Sequence, residues 1–378
     1  MAVPINILHL HSSFDLGGKE ARAVQLMNAF GDAARHTIVS GMPDQLGARA
    51  AIAKGIRYEI AQDPPPLTGR PSVARYEALA RYMRRFDLVL TYNWGAIDGV
   101  MARRVFGRAM PPLVHHEDGF NADEAAGLKV ERNMYRRVAL PAAAALAVPS
   151  FVLEDIALRT WKQPPARVHR IANGIPTALY AAKPDPRAIP GFVRTGKDVV
   201  IGALAGLRPV KDLPMLIRAC GGLAGRIRLV IVGEGPERDA IAATARQMGM
   251  DATVVLPGFL ERPYRFVGHF DILALSSKSE QQPISVIEGM AAGLPIASTP
   301  VGDVAQMVAT ENAPFIARES SEIRLRDALQ PLVLDAALRR TVGIANQAKA
   351  RAEFDEGVMI GRYKALYEAV LARPGALG

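Results

Sequence analysis

The chain alternates short apolar runs with longer stretches in which apolar residues recur at helical spacing. In the first half the apolar runs predict strands at 5–10, 37–39, 87–91, 112–115, 144–149 and 168–171. The intervening stretches predict helices at 20–30, 73–86, 97–106 and 151–160. Strands that are apolar at nearly every position are typical of a parallel sheet covered by helices on both faces. This half therefore predicts a doubly wound α/β domain.

A segment rich in Pro and Gly, 183–198, interrupts this rhythm and predicts a linker. The rhythm then resumes, with strands predicted at 199–203, 228–232, 253–256, 272–275 and 295–298, and helices at 213–219, 237–248, 284–292 and 301–308. After Glu322 only helical spacing remains.

The predicted fold class is α/β, with two Rossmann-like doubly wound domains facing across a cleft. The first domain is expected over 1–182 and the second over 199–355. The last helix, within 356–378, is expected to return to the first domain. Ligands of such sheets bind outside the carboxyl ends of the strands, so the cleft is the expected site.

Composition agrees with this organisation. A chain of 378 residues favours two domains, and 49% hydrophobic with 22% charged residues is a globular composition. The single cysteine, Cys220, excludes a disulfide framework and fits a reducing compartment. The first residues resemble a strand rather than a signal peptide, and no apolar run reaches the roughly 18 residues of a membrane span. A cytoplasmic protein is expected.

The net charge is +9, and basic residues cluster in the first half. They are Arg81, Arg84, Arg85, Arg103, Arg104, Arg108, Lys129, Arg132, Arg136 and Arg137. Arg-rich amphipathic segments suit an anionic membrane surface, which predicts a peripheral protein on the inner face of the cell membrane. Solvated helix faces are the alternative. No nucleic-acid partner is expected, since basic residues do not interleave with aromatic ones in a known module.

Two acids in the second half, Glu280 and Glu288, flank a helix start that contains Pro283. Proline suits a first helical turn, so Glu280 is expected on a loop and Glu288 on the helix. The free N–H groups of such a start attract phosphate, and carboxylates accept sugar hydroxyls. The spacing therefore indicates a nucleotide-sugar site, against the alternative of two solvated acids. The residues expected around the phosphate are Gln282, Pro283, Ile284, Ser285 and Val286.

Three further segments follow predicted strands of the second half. Arg208 and Lys211 stand at the first strand end and suit a diphosphate. Gly233, Glu234 and Gly258 stand at the next two, where glycine lets the backbone approach a ligand closely. They are expected to line a nucleoside pocket, although ordinary tight turns have the same sequence.

In the first half, Gly17 and Gly18 separate the first strand from its helix and resemble half of a phosphate-approaching loop. The run His-His-Glu-Asp-Gly-Phe-Asn at 115–121 contains two candidates, His116 and Asp118, at a strand end. Ionisable residues in such a place are often functional, and hydrogen bonding to a sugar is favoured over metal binding. No metal or other cofactor is expected. Neither a G-x-G-x-x-G fingerprint nor a G-x-S-x-G elbow occurs.

Taken together, these motifs resemble a known family. The run 279–302 resembles the E-x7-E signature of the retaining GT-B glycosyltransferases of family 4 or group 1, which serve bacterial polysaccharide, cell-envelope and glycolipid synthesis. The resemblance extends in order through Gly17-Gly18 and 173–175, and through 207–211, 233–235 and 257–258.

The resemblance implies a retaining, metal-independent transfer of sugar. The second domain would bind a UDP- or GDP-linked donor, and the first a glycan or lipid-linked acceptor. Glu280 would hold the sugar hydroxyls of the donor and Glu288 its ribose. Lys211 and the amides of 282–286 would face the diphosphate. The nucleotide sugar would be a substrate, with no cofactor.

Three positions depart from the family pattern. Gly206 stands where the family usually has Arg, and Arg208 comes two residues later, so either Arg208 substitutes or one phosphate contact is missing. Asp118 stands where the family often has His before Gly, which leaves His116 and Asp118 both open for the sugar-positioning role. Pro176 replaces the usual Asp after Asn-Gly-Ile, which alters a turn.

Two alternative functions remain open, and the departures at Gly206 and Asp118 permit the second of them. One is a sugar-nucleotide epimerase or a phosphorylase on the same fold, although no proton-shuttling acid and base are located for an epimerase. The other is an inactive nucleotide-sugar-binding protein.

Overall fold

The structure is a computed structural model that describes residues 3–67, 69–70, 72–107, 109–120, 124, 127–196 and 198–378. The chain forms two compact units. Unit 1 comprises 1–173 and 359–378, and unit 2 comprises 174–358. Residues 174–198, which the sequence divided between the first domain and a linker, thus belong to unit 2.

The sheet of unit 1 is wholly parallel over the described residues. Its strands are β1 Ile5–His11, β2 Ala34–Ser40, β3 Tyr58–Ile60, β4 Leu88–Tyr92, β5 Leu113–His116, β6 Ala145–Val148 and β7 Val168–Arg170. They lie in the order β3-β2-β1-β4-β5-β6-β7. Because β2 and β4 lie on opposite sides of β1, the strand order reverses there, and ligands of such sheets bind at this kind of switch point.

Helices cover both faces of this sheet. They are α1 Gly18–Phe30, α2 Val73–Met83, α3 Ile97–Phe106, α4 Val130–Ala139 and α5 Phe151–Asp155, the last continuing as a π-helical turn over Ile156–Thr160. On one face, Leu79 and Met83 of α2 pack with Val100 of α3. Leu26 and Phe30 of α1 pack on the other face.

Unit 2 has a five-stranded parallel sheet. Its strands are β8 Val199–Leu204, β9 Ile227–Val232, β10 Val254–Gly258, β11 Ile272–Leu275 and β12 Ile296–Ser298, in the order β10-β9-β8-β11-β12. Its helices are α6 Thr177–Tyr180, α7 Leu213–Gly221, α8 Arg238–Gln247, α9 Ile284–Ala291, α10 Val304–Met307, α11 Glu322–Leu334 and α12 Ala336–Glu353. The switch point is β8, between β9 and β11.

The packing of unit 2 brings α9 close to the sheet. On one face Leu216 of α7 and Leu329 of α11 are fully buried. Gly289 of α9 lies against Leu273 of β11, since a Cβ on this glycine would be 2.8 Å from Leu273 Cδ2. Because Gly289 has no side chain, α9 can pack close to β11, the strand whose carboxyl end lies beside the start of this helix.

The last helix, α13 Glu356–Leu371, belongs to unit 1 from Met359 onward. Met359, Tyr363 and Tyr367 are buried in the same cluster as Leu26 and Phe30 of α1. This helix therefore completes one face of the first sheet.

The predicted fold class is confirmed by the two parallel sheets with their flanking helices. The elements that the sequence missed are β3, α4 and α6. β3 is a three-residue edge strand and α6 a four-residue helix, both too short for a period to show. No helix in the described ranges is long and apolar enough to cross a bilayer.

Candidate functional site

The strand ends at the switch point of unit 2 are joined by backbone hydrogen bonds. The amide of Leu207 donates to Glu234 O at 2.8 Å, and that of Glu237 donates to Leu207 O at 3.0 Å. The amide of Gly233 donates to Gly258 O at 2.9 Å. The loops after β8, β9 and β10 therefore form one platform, which brings together the positions that the sequence singled out.

Glycine is required at two positions of this platform. Gly233 has φ +148°, and a Cβ there would lie 1.9 Å from Ala205 O. Gly258 has φ +89°, and its Cβ position is 3.1 Å from Glu234 Oε1. Both glycines thus let neighbouring strand ends meet, and Glu234 stands exposed between them.

Arg208 lies beside Gly206, the position at which the sequence departs from the pattern of the resembling family. The side chain of Arg208 is exposed, and its Nε lies 3.5 Å from where a Cβ on Gly206 would be. The guanidinium group is therefore brought back toward residue 206, where an arginine is usual in the resembling family.

Lys211 and Glu280 form a direct ion pair. Lys211 Nζ lies 2.5 Å from Glu280 Oε1, and Ser277 Oγ donates to the same oxygen at 2.7 Å. The side chains are only 16% and 11% exposed. The amide of Lys278 donates to Val210 O at 2.8 Å, which fastens the Glu280 loop to the turn that contains Lys211.

The Glu280 loop is held from its other side by Gly302. This residue has φ +51°, and a Cβ would lie 2.5 Å from Gln281 O and 2.7 Å from Glu280 O. The next amide, that of Asp303, donates to Gln281 O at 2.9 Å. The sequence assigned no role to Gly302 and predicted a helix over 301–308, whereas α10 begins only at Val304.

The helix start lies where the sequence placed it. Glu280 is on the loop, and α9 begins at Ile284 after Pro283. The amide of Val286 donates to Pro283 O at 3.1 Å, whereas those of Ile284 and Ser285 have no intrahelical acceptor. Gln282 is buried immediately before this turn. The first turn of α9 therefore offers amide donors directly after the Glu280 loop, which pairs with Lys211.

Glu288 follows on the same helix and accepts a hydrogen bond of 2.9 Å from Tyr180 Oη. Burial raises the pKa of Glu288 to about 7, although the hydrogen bond from Tyr180 opposes this rise. Burial also raises the pKa of Tyr180, so its hydroxyl remains a donor. Sequence reasoning missed Tyr180, because it lies 108 residues from its partner.

In unit 1, His116, one of the two residues left open for sugar positioning, lies in the interior. The ring is fully buried, with Nδ1 3.1 Å from Thr91 O and Nε2 2.7 Å from Tyr367 Oη. Burial and the nearby Arg22 lower the pKa of His116 to about 3, so the ring is neutral. His115 is buried as well, 2.8 Å from Thr91 Oγ1.

Glu117, the next residue of this run, is also interior. Arg136 Nε donates to Glu117 Oε2 at 3.1 Å, and both side chains are fully buried. Asn121, at the end of the predicted run, lies outside the described residues.

Among the ionisable residues of this run, all four of which the structure describes, Asp118 is the one that is not fully buried. Its carboxylate pairs end-on with the two terminal nitrogens of the buried Arg22, one of the two hydrogen bonds being Nη2 to Oδ2 at 2.8 Å, and is 14% exposed. Arg22 also donates to Asn173 Oδ1 at 3.1 Å. Burial alone would raise the pKa of Asp118, but Arg22 outweighs it and holds the pKa below its ordinary value. The structure thus favours Asp118 over His116.

Gly17 and Gly18 open α1, and their surroundings differ from the prediction. A Cβ on Gly17 would lie 2.9 Å from Glu20 Oε2, and Glu20 is buried and paired with Lys19. A carboxylate therefore already stands at the positive end of α1, where a phosphate was expected. Glu20 and Arg22 are residues that the sequence did not single out.

Several predicted basic residues are structural rather than free. Arg136 is buried, and Arg103 Nε donates to Ala142 O at 2.9 Å. Arg132 pairs with Glu124 at 2.8 Å. Arg108 lies outside the described residues.

Among the described residues, no group of three or more His, Cys, Asp or Glu side chains is arranged to hold a metal ion.

Two family models match successive parts of the chain. The model described as "Glycosyltransferase Family 4" matches residues 16–179, and the one described as "Glycosyl transferases group 1" matches 198–335. The chain therefore belongs to the group 1, family 4 glycosyltransferases.

Individual relatives match over shorter spans. A putative glycosyltransferase, EpsF of Bacillus subtilis, is 31% identical over 136 residues, 34% of this chain and 35% of the relative. An N-acetylgalactosaminyltransferase of Campylobacter jejuni, named for a diphospho-undecaprenol substrate, is 27% identical over 167 residues, 44% of this chain and 45% of the relative. The chain thus spans less than half the length of these curated relatives.

Solved structures share the fold over nearly the whole chain. HepE from Anabaena, solved in complex with UDP, covers 97% of this chain and 100% of its own, with 19% identity and a TM-score of 0.79. WaaG, a glycosyltransferase involved in lipopolysaccharide biosynthesis, has 16% identity and a TM-score of 0.69, covering 98% of this chain and 100% of its own. The fold is therefore GT-B.

Proposed function

We propose that this protein is a retaining glycosyltransferase that moves a sugar from a nucleotide diphosphate sugar to a glycan or lipid-linked acceptor. The observation that carries the proposal is the buried Lys211–Glu280 pair beside the first turn of α9, with Glu288 on the same helix. A cation, free amides and two carboxylates match the diphosphate and the hydroxyls of such a donor.

In this proposal Lys211 and the amides of Ile284 and Ser285 bind the diphosphate. Glu280 accepts hydroxyls of the donor sugar, and Glu288 accepts those of the ribose. Arg208 supplies the phosphate contact that Gly206 cannot make. Its guanidinium lies beside the Cβ position of residue 206, which supports this assignment.

The chemical step breaks the bond between the anomeric carbon and the phosphate oxygen. The acceptor oxygen bonds to that carbon on the same face, and its proton passes to the departing diphosphate. Negative charge grows on the diphosphate, so Lys211 and the fixed amides stabilise the transition state more than the bound donor. No metal and no cofactor take part in this proposal.

In unit 1 we assign sugar positioning to Asp118. Arg22 keeps it ionised, and its carboxylate remains partly exposed at the carboxyl end of β5. The fully buried His116 is the less favoured alternative.

Two relatives support the choice of donor and acceptor. HepE was solved with UDP, which favours a UDP-linked donor over a GDP-linked one. The Campylobacter relative is named for a diphospho-undecaprenol substrate, which favours a lipid-linked acceptor. These two relatives support the proposal of a role in bacterial exopolysaccharide, cell-envelope or glycolipid synthesis.

We also propose that unit 1 rests on an anionic bilayer in the cytoplasm. Val130, Met134 and Val138 form an exposed stripe along α4, each at least 46% exposed. Met134 and Val138 line a shallow groove with Met101 of α3. Arg104 and Arg137 are exposed on the same two helices. Apolar side chains flanked by guanidinium groups match an anionic lipid surface.

The proposed function is tested by thermal unfolding with a panel of nucleoside diphosphates and their sugars, followed by assay of the stabilising donor. Only the working nucleotide should raise the melting temperature, because a ligand of the folded state stabilises it by mass action. Transfer with retention supports the proposal. An epimerised nucleotide sugar without acceptor indicates an epimerase, and tight binding without turnover on any acceptor indicates an inactive binding protein.

A further inference from the structure

Glu288 has one side-chain partner among the described residues, and that partner comes from a distant element. Tyr180 ends the short helix α6 and donates its hydroxyl proton to Glu288 Oε1 at 2.9 Å. The tyrosine is only 6% exposed, and its ring packs edge-on against Tyr264 with centroids 6.2 Å apart. The hydroxyl group therefore reaches the carboxylate from a fixed ring.

The helix that carries Tyr180 is itself anchored. Thr177 Oγ1 donates to Asp355 Oδ2 at 2.5 Å. The amide of Ile175 donates to Phe354 O at 3.0 Å, and the amide of Glu356 donates back to Ile175 O at 2.8 Å. These bonds hold α6 against residues 354–356, so the position of the Tyr180 hydroxyl is set by the backbone of unit 2.

We propose that Tyr180 is a positioning residue that orients Glu288 to accept the vicinal hydroxyl groups of a ribose. The proposal rests on the proposed function, since it assumes that unit 2 binds a nucleoside diphosphate. A carboxylate has about four lone-pair sites on its two oxygens. Tyr180 occupies one of them on Oε1, which fixes the plane of the carboxylate and leaves both oxygens able to accept from a diol.

The hydrogen bond from Tyr180 also favours the ionised form of Glu288, which accepts hydrogen bonds. Burial raises the pKa of Glu288 to about 7, so a large fraction of Glu288 is protonated near neutrality. The hydrogen bond from Tyr180 favours the ionised form. Removing the Tyr180 hydroxyl group should make the Glu288 side chain more mobile and raise its pKa further. Both changes should weaken the binding of a diol by Glu288.

The experiment compares UDP with 2′,3′-dideoxy-UDP by titration calorimetry on the full chain. The variants are Tyr180→Phe and, as the matched control, Tyr264→Phe, which loses a hydroxyl group from the ring that packs on Tyr180. Tyr180→Phe should weaken UDP binding about tenfold, the effect expected for one hydrogen bond to a charged group. Its affinity for the dideoxy nucleotide should equal that of the wild type, and Tyr264→Phe should match the wild type with both.

The outcomes separate this proposal from the proposed function. Equal losses with the two nucleotides, or no loss with either, overturn the role of Tyr180 while leaving the donor site in place. Failure of the wild type to bind either UDP or GDP overturns the proposed function and this proposal with it. A second readout is the pH dependence of UDP affinity, whose midpoint should move upward in Tyr180→Phe. An unchanged midpoint contradicts the proposal.

Discussion

Lys211 Nζ lies 2.5 Å from Glu280 Oε1, so the proposed phosphate-binding cation and the proposed sugar-binding acid are partners in an ion pair. Each side chain is more than four-fifths buried, and each offsets the charge of the other. A bound donor would bring a diphosphate to Lys211 and hydroxyl groups to Glu280. The pair therefore holds both groups in place and leaves neither charge without a partner.

Removing either partner should impair catalysis. Lys211→Ala and Glu280→Gln should each lower turnover at least tenfold, or about 1.4 kcal/mol, because each removes a group that stabilises or positions the donor. Initial rates with the working donor provide the measurement. Arg218→Ala is the matched control, since it breaks an ion pair of 3.0 Å to Glu322 elsewhere in unit 2 and should leave the rate unchanged. Wild-type rates in both site variants would remove the assignment.

The proposal that Arg208 replaces an arginine at position 206 can be tested by substituting both residues. Arg208→Ala should weaken nucleoside diphosphate binding about tenfold, since a charge-assisted hydrogen bond is lost. Adding Gly206→Arg to that variant should restore most of the affinity. Residue 206 can accept a side chain, because the nearest atoms to its Cβ position are 3.5 Å and 3.8 Å away. If Arg208→Ala binds as tightly as the wild type, Arg208 makes no phosphate contact.

Gly302 should be needed for both stability and donor binding. Gly302→Ala places a Cβ 2.5 Å from Gln281 O at a backbone with φ +51°, so we expect a loss of about 1–3 kcal/mol in the free energy of unfolding. The displaced Glu280 loop should also weaken nucleotide affinity. Chemical denaturation and calorimetry measure the two effects. Gly361→Ala is the control, since no atom other than those of its chain neighbours and the adjacent backbone of α13 lies within 4 Å of its Cβ position, and it should be neutral or stabilising. A neutral Gly302→Ala would contradict the packing described.

The ionisation of Glu288 should appear in stability. Its folded pKa, about 7, lies above its ordinary value near 4.5, so between these two values the folded state holds more protons than the unfolded state. Stability from this group is therefore present below about pH 4.5 and is lost as the pH rises toward 7. Glu288→Gln should remove this slope from denaturation curves measured at successive pH values. An unchanged slope would show that Glu288 titrates normally.

The same ionisation should appear in binding. A diol donates to the carboxylate, so nucleotide affinity should rise as the pH increases through about 7. Glu288→Gln provides the reference, since it retains only the ionisation of the nucleotide itself.

The apolar stripe on α4 should govern lipid binding. Met134→Asp and Val138→Asp should each reduce flotation with vesicles that contain an anionic lipid, while transfer to a short soluble acceptor stays unchanged. Ile344→Asp is the control, because Ile344 is 71% exposed but lies on α12 of unit 2. Binding to purely zwitterionic vesicles should be weak in every case. If the stripe variants float like the wild type, this face is not the lipid-binding surface.

The sequence predicted the elements whose pattern of apolar residues is visible within their own segment. It missed those whose position depends on contacts with distant parts of the chain. Strand β11 and helix α3 have the predicted bounds, since each shows its own period and breakers. Helix α4 was missed, because its mostly polar sequence hides an apolar stripe that faces outward. Residues 174–198 belong to unit 2, whereas the sequence divided them between the first domain and a linker, because proline content does not indicate which domain a segment joins.

The candidate site shows the same division. The positions of Glu280 on a loop and of Glu288 on the helix that follows could be predicted, because Pro283 marks the helix start. The ion pair between Lys211 and Glu280 is visible only in the structure. The sequence left His116 and Asp118 both open, because a polar run at a strand end does not reveal which side chains face the interior. Tyr180 and Arg22 could not be found, since their partners lie 108 and 96 residues away in the chain. Only the fold brings those pairs within hydrogen-bonding distance.

A structure of the protein with an intact nucleotide sugar bound would test the central claim most directly. The account predicts that the donor phosphates lie about 3 Å from Lys211 Nζ and from the amides of Ile284 and Ser285. Hydroxyl groups of the transferred sugar should donate to Glu280, and those of the ribose to Glu288. A bound donor from which both carboxylates turn away would contradict it.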